Sequence, residues 1–252
     1  MIQTKGTVAH FTKLKHLKNI LKNKKIKLSP VVNFDDPREK SLGWISTLGY
    51  GEGPDLDQWN IARSLKNKAG TQINILCTCD NEEKIAGYCP IESSHYGKPR
   101  IWSQYGDNFK GFCVIFNKEN LENQLQKKIK QPKHIISDKV SYYESLHQVC
   151  SSVDIEYGSG INLENINIFD MLNYNRMMHS IYFKKSIDWK DECEFRWLVF
   201  SEKCEPIFIS IEDCIEAVVL GVEFPYDKFE EAKRYCNILN IPCSVMSYDH
   251  PR

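Results

Sequence analysis

Residues 189–200 read Trp-Lys-Asp-Glu-Cys-Glu-Phe-Arg-Trp-Leu-Val-Phe. From Glu194 to Phe200 the pattern is that of a strand, with alternating positions and aromatic and aliphatic side chains. Glu192, Glu194 and Arg196 fall two residues apart and share one face, with Phe195 and Trp197 on the other. Two carboxylates and a guanidinium on one face are costly to bury without partners. Two readings stand. The three residues form an exposed ladder with neighbouring lysines. Alternatively, a carboxylate there holds a ribose hydroxyl and stabilises an oxocarbenium-like transition state, while Lys184 and Lys185 just upstream contact phosphate.

Working outward, Ile73–Cys79 and Phe112–Phe116 (Phe-Cys-Val-Ile-Phe) read as buried strands. Further strands fall at residues 8–12, 26–29, 135–143, 206–211, 217–220 and 243–248. Leu14, Leu17, Ile20 and Leu21 make one apolar stripe, which predicts an amphipathic helix over 13–24. Other helices are predicted over 55–68, 119–130, 163–185 and 227–239. Residues 80–100, with Gly87, Pro90, Gly97 and Pro99, read as a long loop. Strands and helices mix without strict β-α-β alternation. That predicts an α+β fold with a mixed or antiparallel central sheet and peripheral helices. No repeat or long linker divides the 252 residues, so they read as one domain, 1–252.

Composition excludes classes more than it selects one. Hydrophobic residues are 42% and charged residues 26%, which rules out a wholly disordered chain. Thirty-three basic residues balance thirty-three acidic ones, so net charge gives no general case for nucleic acid or membrane. The balance is uneven along the chain. Eight lysines precede the first carboxylate, Asp35. Twelve carboxylates lie between Asp191 and Glu231. A basic face for an anionic ligand and a solvated helix face are both consistent with this start. Only seven bases are arginine, the side chain that suits bidentate phosphate recognition. Ten cysteines with no apolar run after the N-terminal charges predict a reducing, cytoplasmic setting and thiols used as small core residues. Cys77 and Cys79, with Cys89 and His95 downstream, give one loose pair where structural zinc needs two tight ones, so no metal is expected.

Three more constellations could carry chemistry. His10 and Thr12, two apart on a strand, point to the same side. They suit hydrogen bonding to sugar hydroxyls, or Thr12 caps a helix from Lys13 and His10 is structural. Asp35, Asp36 and Glu39 suit a divalent cation or acid–base work, or Asp36-Pro37 starts a helix. Trp102 and Tyr105, beside Gly106, suit a stacking shelf for a base or nicotinamide, or belong to the core.

In order, His10-Phe11-Thr12, Asp36-Pro37-Arg38-Glu39, Trp102-Ser-Gln-Tyr105, Lys110-Gly-Phe112 with Phe116, Glu192-Cys-Glu194-Phe-Arg196 and Val218-Val219-Leu220-Gly221 form a recognisable set. The set resembles a widespread bacterial and phage family carried as a domain of unknown function, some of whose relatives are labelled abortive-infection proteins. The resemblance runs over roughly residues 8–245; the family's usual Asn-Asp-Pro is Asp35-Asp36-Pro37 here. More distantly, the pattern is similar to the ADP-ribosyltransferase superfamily, especially its nucleic-acid-modifying toxins. That similarity implies an ADP-ribosyltransferase-like fold and NAD as co-substrate. It implies that His10 and Thr12 bind ribose and that Tyr105 stacks near nicotinamide. Glu194 would hold the ribose 2′-hydroxyl and stabilise positive charge, and Glu192 would orient the acceptor. Trp102, Lys184 and Arg196 complete the expected cofactor-binding set.

The leading expectation is therefore an NAD-dependent ADP-ribosyltransferase-like toxin or phage-defence effector. Its acceptor, protein or nucleic acid, is unknown; it would have no membrane association and room for an antitoxin or defence partner. It requires His10, Tyr105 and Glu194 to converge on one cleft. The alternatives are a non-catalytic sensor or partner-binding module of a defence system, and a metal-dependent nuclease using Asp35, Asp36, Glu39, Glu192 and Glu194.

Overall fold

The computed structural model of the chain describes residues 6–34, 36, 39, 45–46, 56–80, 96–130, 134–144, 153–154, 179, 181–202 and 205–247. In chain order the strands are β1 (Thr7–Thr12), β2 (Lys25–Pro30), β3 (Ile45–Ser46), β4 (Ile73–Cys79), β5 (Phe112–Asn117), β6 (Ile135–Lys139) and β7 (Ser141–Tyr143). They continue with β8 (Val153–Asp154), β9 (Lys184–Ser186), β10 (Glu194–Phe200), β11 (Ile207–Ser210), β12 (Ile215–Leu220) and β13 (Cys243–Val245). The helices are α1 (Leu56–Gln72), α2 (Pro99–Gln104), α3 (Lys118–Lys128) and α4 (Tyr226–Leu239).

Among the described residues nine strands form one mixed, mostly antiparallel sheet, and β4 is its hub. One edge of β4 pairs along its whole length with β10, from Glu194↔Cys79 to Phe200↔Ile73, and β10 in turn pairs with β6. The other edge is shared. Its start takes β2 (Ser29↔Ile75, Pro30↔Asn74) and its end takes β1 (Ala9↔Cys79). β2 continues to β11, while β1 continues through β5 and β12 to β13. The sheet thus divides into two wings at Leu76, Cys77 and Thr78, which have no strand partner on that edge among the described residues. The α+β class expected from the mixed pattern is the architecture found.

The two faces bury different cores. On one face Leu28, Leu76, Phe116 and Trp197 pack under residues 14–22, α3 and α4. Trp197 Nε1 donates to the Glu122 carboxylate of α3, so the largest side chain there also satisfies its one donor. On the other face Phe11, Cys113, Ile115 and Val219 pack under α2, whose Trp102 is fully buried. Phe11 meets Trp102 edge-on, ring centroids 5.1 Å apart.

Three expectations need correction. The stripe over 13–24 does not form one α-helix. It forms a 3-10 turn at Leu14–His16 and a wider π turn at Lys18–Lys22, with Leu17, Ile20 and Leu21 still buried. Neither turn has a side-chain cap, so Thr12 is not one. Pro99 opens α2 instead of lying in a loop; at the first helical turn its missing N–H costs nothing. Lys184 and Lys185, predicted helical, belong to strand β9, paired in parallel with β7. Most of 163–185 and 80–100 lies outside the described residues.

Candidate functional site

A cavity of about 220 Å³ opens where the sheet divides. Its floor is Ile75–Cys79 of β4, and β1 contributes Ala9, His10 and Phe11. Lys27 and Ser29 of β2 border one side, Tyr105 and Trp189 another, and Phe34, Asp36 and Glu39 a third. β10 supplies Glu194 and Arg196, and the residue two before its start supplies Glu192. The division of β4 explains why a cavity forms here: two wings diverge and leave its edge uncovered. His10 fills part of that edge. Its Nδ1 lies 3.0 Å from the Cys77 carbonyl oxygen. A carbonyl only accepts, so Nδ1 carries the proton and donates. Burial holds the imidazole below its usual pKa. The ring is therefore neutral at pH 7, with Nε2 as an acceptor suited to a hydroxyl.

The charged groups form one buried network. Lys185 Nζ lies 2.8 Å from Glu192 Oε2 and 3.0 Å from Glu194 Oε2. Arg196 grips the same Glu194 oxygen with Nη2 at 2.6 Å and Nε at 3.1 Å. Its Nη1 reaches Glu39 Oε1 at 2.5 Å and the Tyr182 carbonyl oxygen at 2.7 Å. Tyr105 donates its hydroxyl to Glu192 Oε1 at 2.6 Å. Arg196 is 0% exposed, Glu192 2% and Glu194 8%, so the exposed-ladder reading is wrong: these three are buried. The partners that make burial tolerable are the cations and the tyrosine hydroxyl.

The backbone builds the Glu-x-Glu pair in an unexpected way. Ile187–Glu192 is a 3-10 helix begun by Ser186, whose hydroxyl accepts from the Asp188 N–H. Cys193 then adopts φ 43°, ψ 49°, the left-handed region, and β10 starts at Glu194. Glu192 thus reaches the cavity by a turn and not by strand alternation. The Glu194 N–H donates to Tyr142 Oη at 2.9 Å, fixing the first strand residue.

The two carboxylates are driven apart. Burial pushes Glu194 up, but Arg196 and Lys185 more than offset it and hold it at about 2. Burial also pushes Glu192 up; Lys185 only partly opposes this, and the neighbouring Glu194 adds to it, so Glu192 is raised from its ordinary value. One carboxylate is held as an anion, and the other is shifted in the opposite direction. Counting Glu39, three carboxylates meet two cations, Lys185 and Arg196. Burial raises the Tyr105 phenol, with Glu192 adding to the effect, so Tyr105 remains a donor.

Of the predicted catalytic and cofactor-binding residues, His10, Tyr105, Glu192, Glu194 and Arg196 meet at this cavity. Three predicted ones do not line it. Trp102 is locked in the core, its Nε1 donating to the Tyr96 carbonyl oxygen at 2.7 Å. Thr12 is buried against the end of β5. Lys184 turns the other way and lies over the Tyr143 ring, 5.4 Å from its centroid. Its neighbour Lys185 takes the inward position. Asp36 and Glu39 do line the cavity, whereas Asp35 lies outside the described residues. The carboxylates read as nuclease ligands are instead engaged: Glu39 by Arg196, and Glu192 and Glu194 by the network. Among the described residues, no group of three or more His, Cys, Asp or Glu side chains could hold a metal. Cys77 and Cys79 line the cavity as thiols, pushed far up by burial; Cys89 and His95 lie outside the described residues. Sequence reasoning missed Phe34, Trp189 and Lys27. Trp189 carried a signal as the first aromatic of the motif that ends in Trp197, and Lys27 as one of the eight lysines before Asp35; Phe34 carried none.

No helix among the described residues is long and apolar enough to cross a membrane. Neither a search of curated proteins nor one of solved structures gives a match to the chain. Tyr105, Lys185, Glu192, Glu194 and Arg196 all fall within residues 101–197, the stretch over which the chain matches the model of the family described as Protein of unknown function (DUF2971).

Proposed function

We propose that the cavity binds NAD at its nicotinamide–ribose end and that the protein transfers ADP-ribose to an acceptor, as a toxin or phage-defence effector. The observation that carries this reading is the meeting of His10, Tyr105 and two oppositely tuned carboxylates, Glu192 and Glu194, on one enclosed cavity. The space fits the proposal. An apolar cavity of about 150 Å³ takes one benzene ring, and this one, at about 220 Å³, takes a ring with a few polar atoms. The charge fits too. Four lining carboxylates, Asp36, Glu39, Glu192 and Glu194, against three lining cations, Lys27, Lys185 and Arg196, favour a cationic guest, and the pyridinium of NAD is one.

Each residue then has a task. Neutral His10 accepts a ribose hydroxyl through Nε2. The Glu194 carboxylate makes its hydrogen bonds and ion pairs among the described residues through Oε2, so Oε1 is the oxygen left for the 2′-hydroxyl. The bond from ribose C1′ to the nicotinamide nitrogen breaks, its electron pair leaving with nicotinamide. Positive charge developing at C1′ is stabilised by Glu194, an anion preorganised by Arg196 and Lys185. The acceptor's nucleophile bonds to C1′, and its proton passes to Glu192, whose raised pKa suits a base. Tyr105 and Lys185 orient Glu192 for that step.

The test compares wild type with Glu194→Gln for NAD binding and nicotinamide release. The proposal expects binding within a few-fold and release lowered at least a hundredfold, as for loss of one electrostatic stabiliser. Equal release by both proteins overturns it. A second reading, a nucleotide sensor or partner-binding module without turnover, is favoured by one observation: both Glu192 oxygens and Glu194 Oε2 are already engaged. Binding without release in wild type, under every acceptor condition, supports that reading.

A further inference from the structure

We infer that Lys13, Lys15 and Lys27 form a diphosphate-binding rim on the His10 side of the cavity, where the phosphates of a dinucleotide lie once its nicotinamide end is inside. This rests on the proposed nucleotide reading and adds the residues that would select a nucleoside diphosphate over a nucleoside.

Size begins the argument. A cavity of about 220 Å³ cannot enclose a whole dinucleotide, so the diphosphate must leave by one side. The cations on most sides are already committed. Lys185 and Arg196 are locked in the buried network. Arg100 bonds the Asp188 carbonyl oxygen at 2.7 Å and faces Asp191. Lys98 lies 2.7 Å from Cys193 Sγ. Lys118 and Lys139 share Asp80. Lys184, the sequence-based candidate for phosphate, lies over Tyr143.

Lys27 differs from all of these. It lines the cavity, it is exposed, and among the described residues no carboxylate pairs with it. The register explains its place. Ile26 and Leu28 are buried in the larger core, so the alternate residues Lys27 and Ser29 face the cavity. Lys13 and Lys15, also exposed and without an ion pair among the described residues, leave the end of β1 just beyond His10. The chain places the three lysines on one side: β1 carries His10 to the cavity and runs directly into Lys13 and Lys15, and Lys27 lines the same cavity; in keeping with this, burial and then the charges of Lys15, Lys27 and Lys13 hold the His16 pKa below its usual value. His16 in turn bears on His10, so the cluster adjoins the cavity. Three ammonium groups without an ion pair among the described residues, at one edge of a cavity, make a site for two phosphates.

His16 is a reporter that does not depend on catalysis. An anion on the rim offsets the lysine charges, so the His16 pKa must rise. The experiment follows the His16 ring resonances by NMR against pH, with and without ADP, using His16→Gln to assign them. ADP and nicotinamide riboside affinities are then measured for wild type, Lys27→Glu and Lys13→Glu/Lys15→Glu. The expected result is an upward shift of the His16 titration with ADP. ADP affinity should fall roughly tenfold in each variant, as for loss of a charge-assisted bond, with nicotinamide riboside unaffected. An unmoved His16 titration, or equal ADP affinity in all three proteins, overturns the rim. So does a response to a single-stranded oligonucleotide but not to ADP, which makes the surface a polynucleotide track. The two proposals fail separately. An ADP response without NAD cleavage keeps the rim and removes the transferase. Cleavage with the KM for NAD unchanged in Lys27→Glu does the reverse.

Discussion

A carboxylate at 8% exposure remains an anion only if cations meet it, and Glu194 has two. Arg196→Met therefore strands Glu39 and leaves Glu194 with Lys185 alone. We expect a loss of about 3–5 kcal/mol, the usual cost of breaking a buried pair, read from urea midpoints. A loss below about 1 kcal/mol, as for an exposed pair, would contradict the burial. Tyr105→Phe makes a finer point. The lost hydroxyl favoured ionised Glu192, so the Glu192 pKa rises further. If Glu192 is the base, the acid limb of the NAD-cleavage profile moves to higher pH; an unmoved limb assigns the base elsewhere. The residues of this network were partly legible in sequence. Spacing put Glu194 and Arg196 on one face, and strand register keeps them there. Spacing could not choose Lys185 over Lys184, because a one-residue slip in β9 swaps inward for outward. Nor did it reveal that Glu192 arrives through a left-handed Cys193.

Most strands could be read at the scale of elements. Ile73–Cys79 and Glu194–Phe200 match their predicted bounds, because β-branched and aromatic runs of that length suit little else. The lysine-rich stripe misled on type but not on burial: Leu17, Ile20 and Leu21 still pack inward from tighter and wider turns. Trp102 shows how aromatic residues mislead about function. Its neighbours allowed a stacking shelf, yet α2 drives it into the core against Phe11. Trp102→Ala should then cost about 3–5 kcal/mol, as for other buried tryptophans. An unchanged denaturation midpoint with weakened ligand binding would restore the shelf. Gly111 is tied to the same region: a methyl there would run into the Thr12 carbonyl oxygen. Its place between Lys110 and Phe112 is thus fixed by close approach of two strands.

At the scale of the molecule, the divided sheet creates the cavity, and strand content alone did not foretell it. Nothing in residues 73–79 says that two strands share one edge; that is settled by long-range pairing with β1 and β2. The network it encloses gives the whole protein a pH dependence. The Glu194 pKa lies at about 2 in the folded chain against an ordinary 4.5. Its stabilising contribution is full above 4.5 and is lost as pH falls from there toward 2. Urea midpoints should fall across that window and fall less steeply in Glu194→Gln; parallel profiles would mean that Glu194 is not held ionised. The most direct test of the central claim is incubation of the protein and cell lysate with NAD labelled separately on its nicotinamide and adenine rings. The account predicts free nicotinamide and equal adenine label transferred to an acceptor. Intact NAD carrying both labels, with wild-type protein and every acceptor tried, would contradict it.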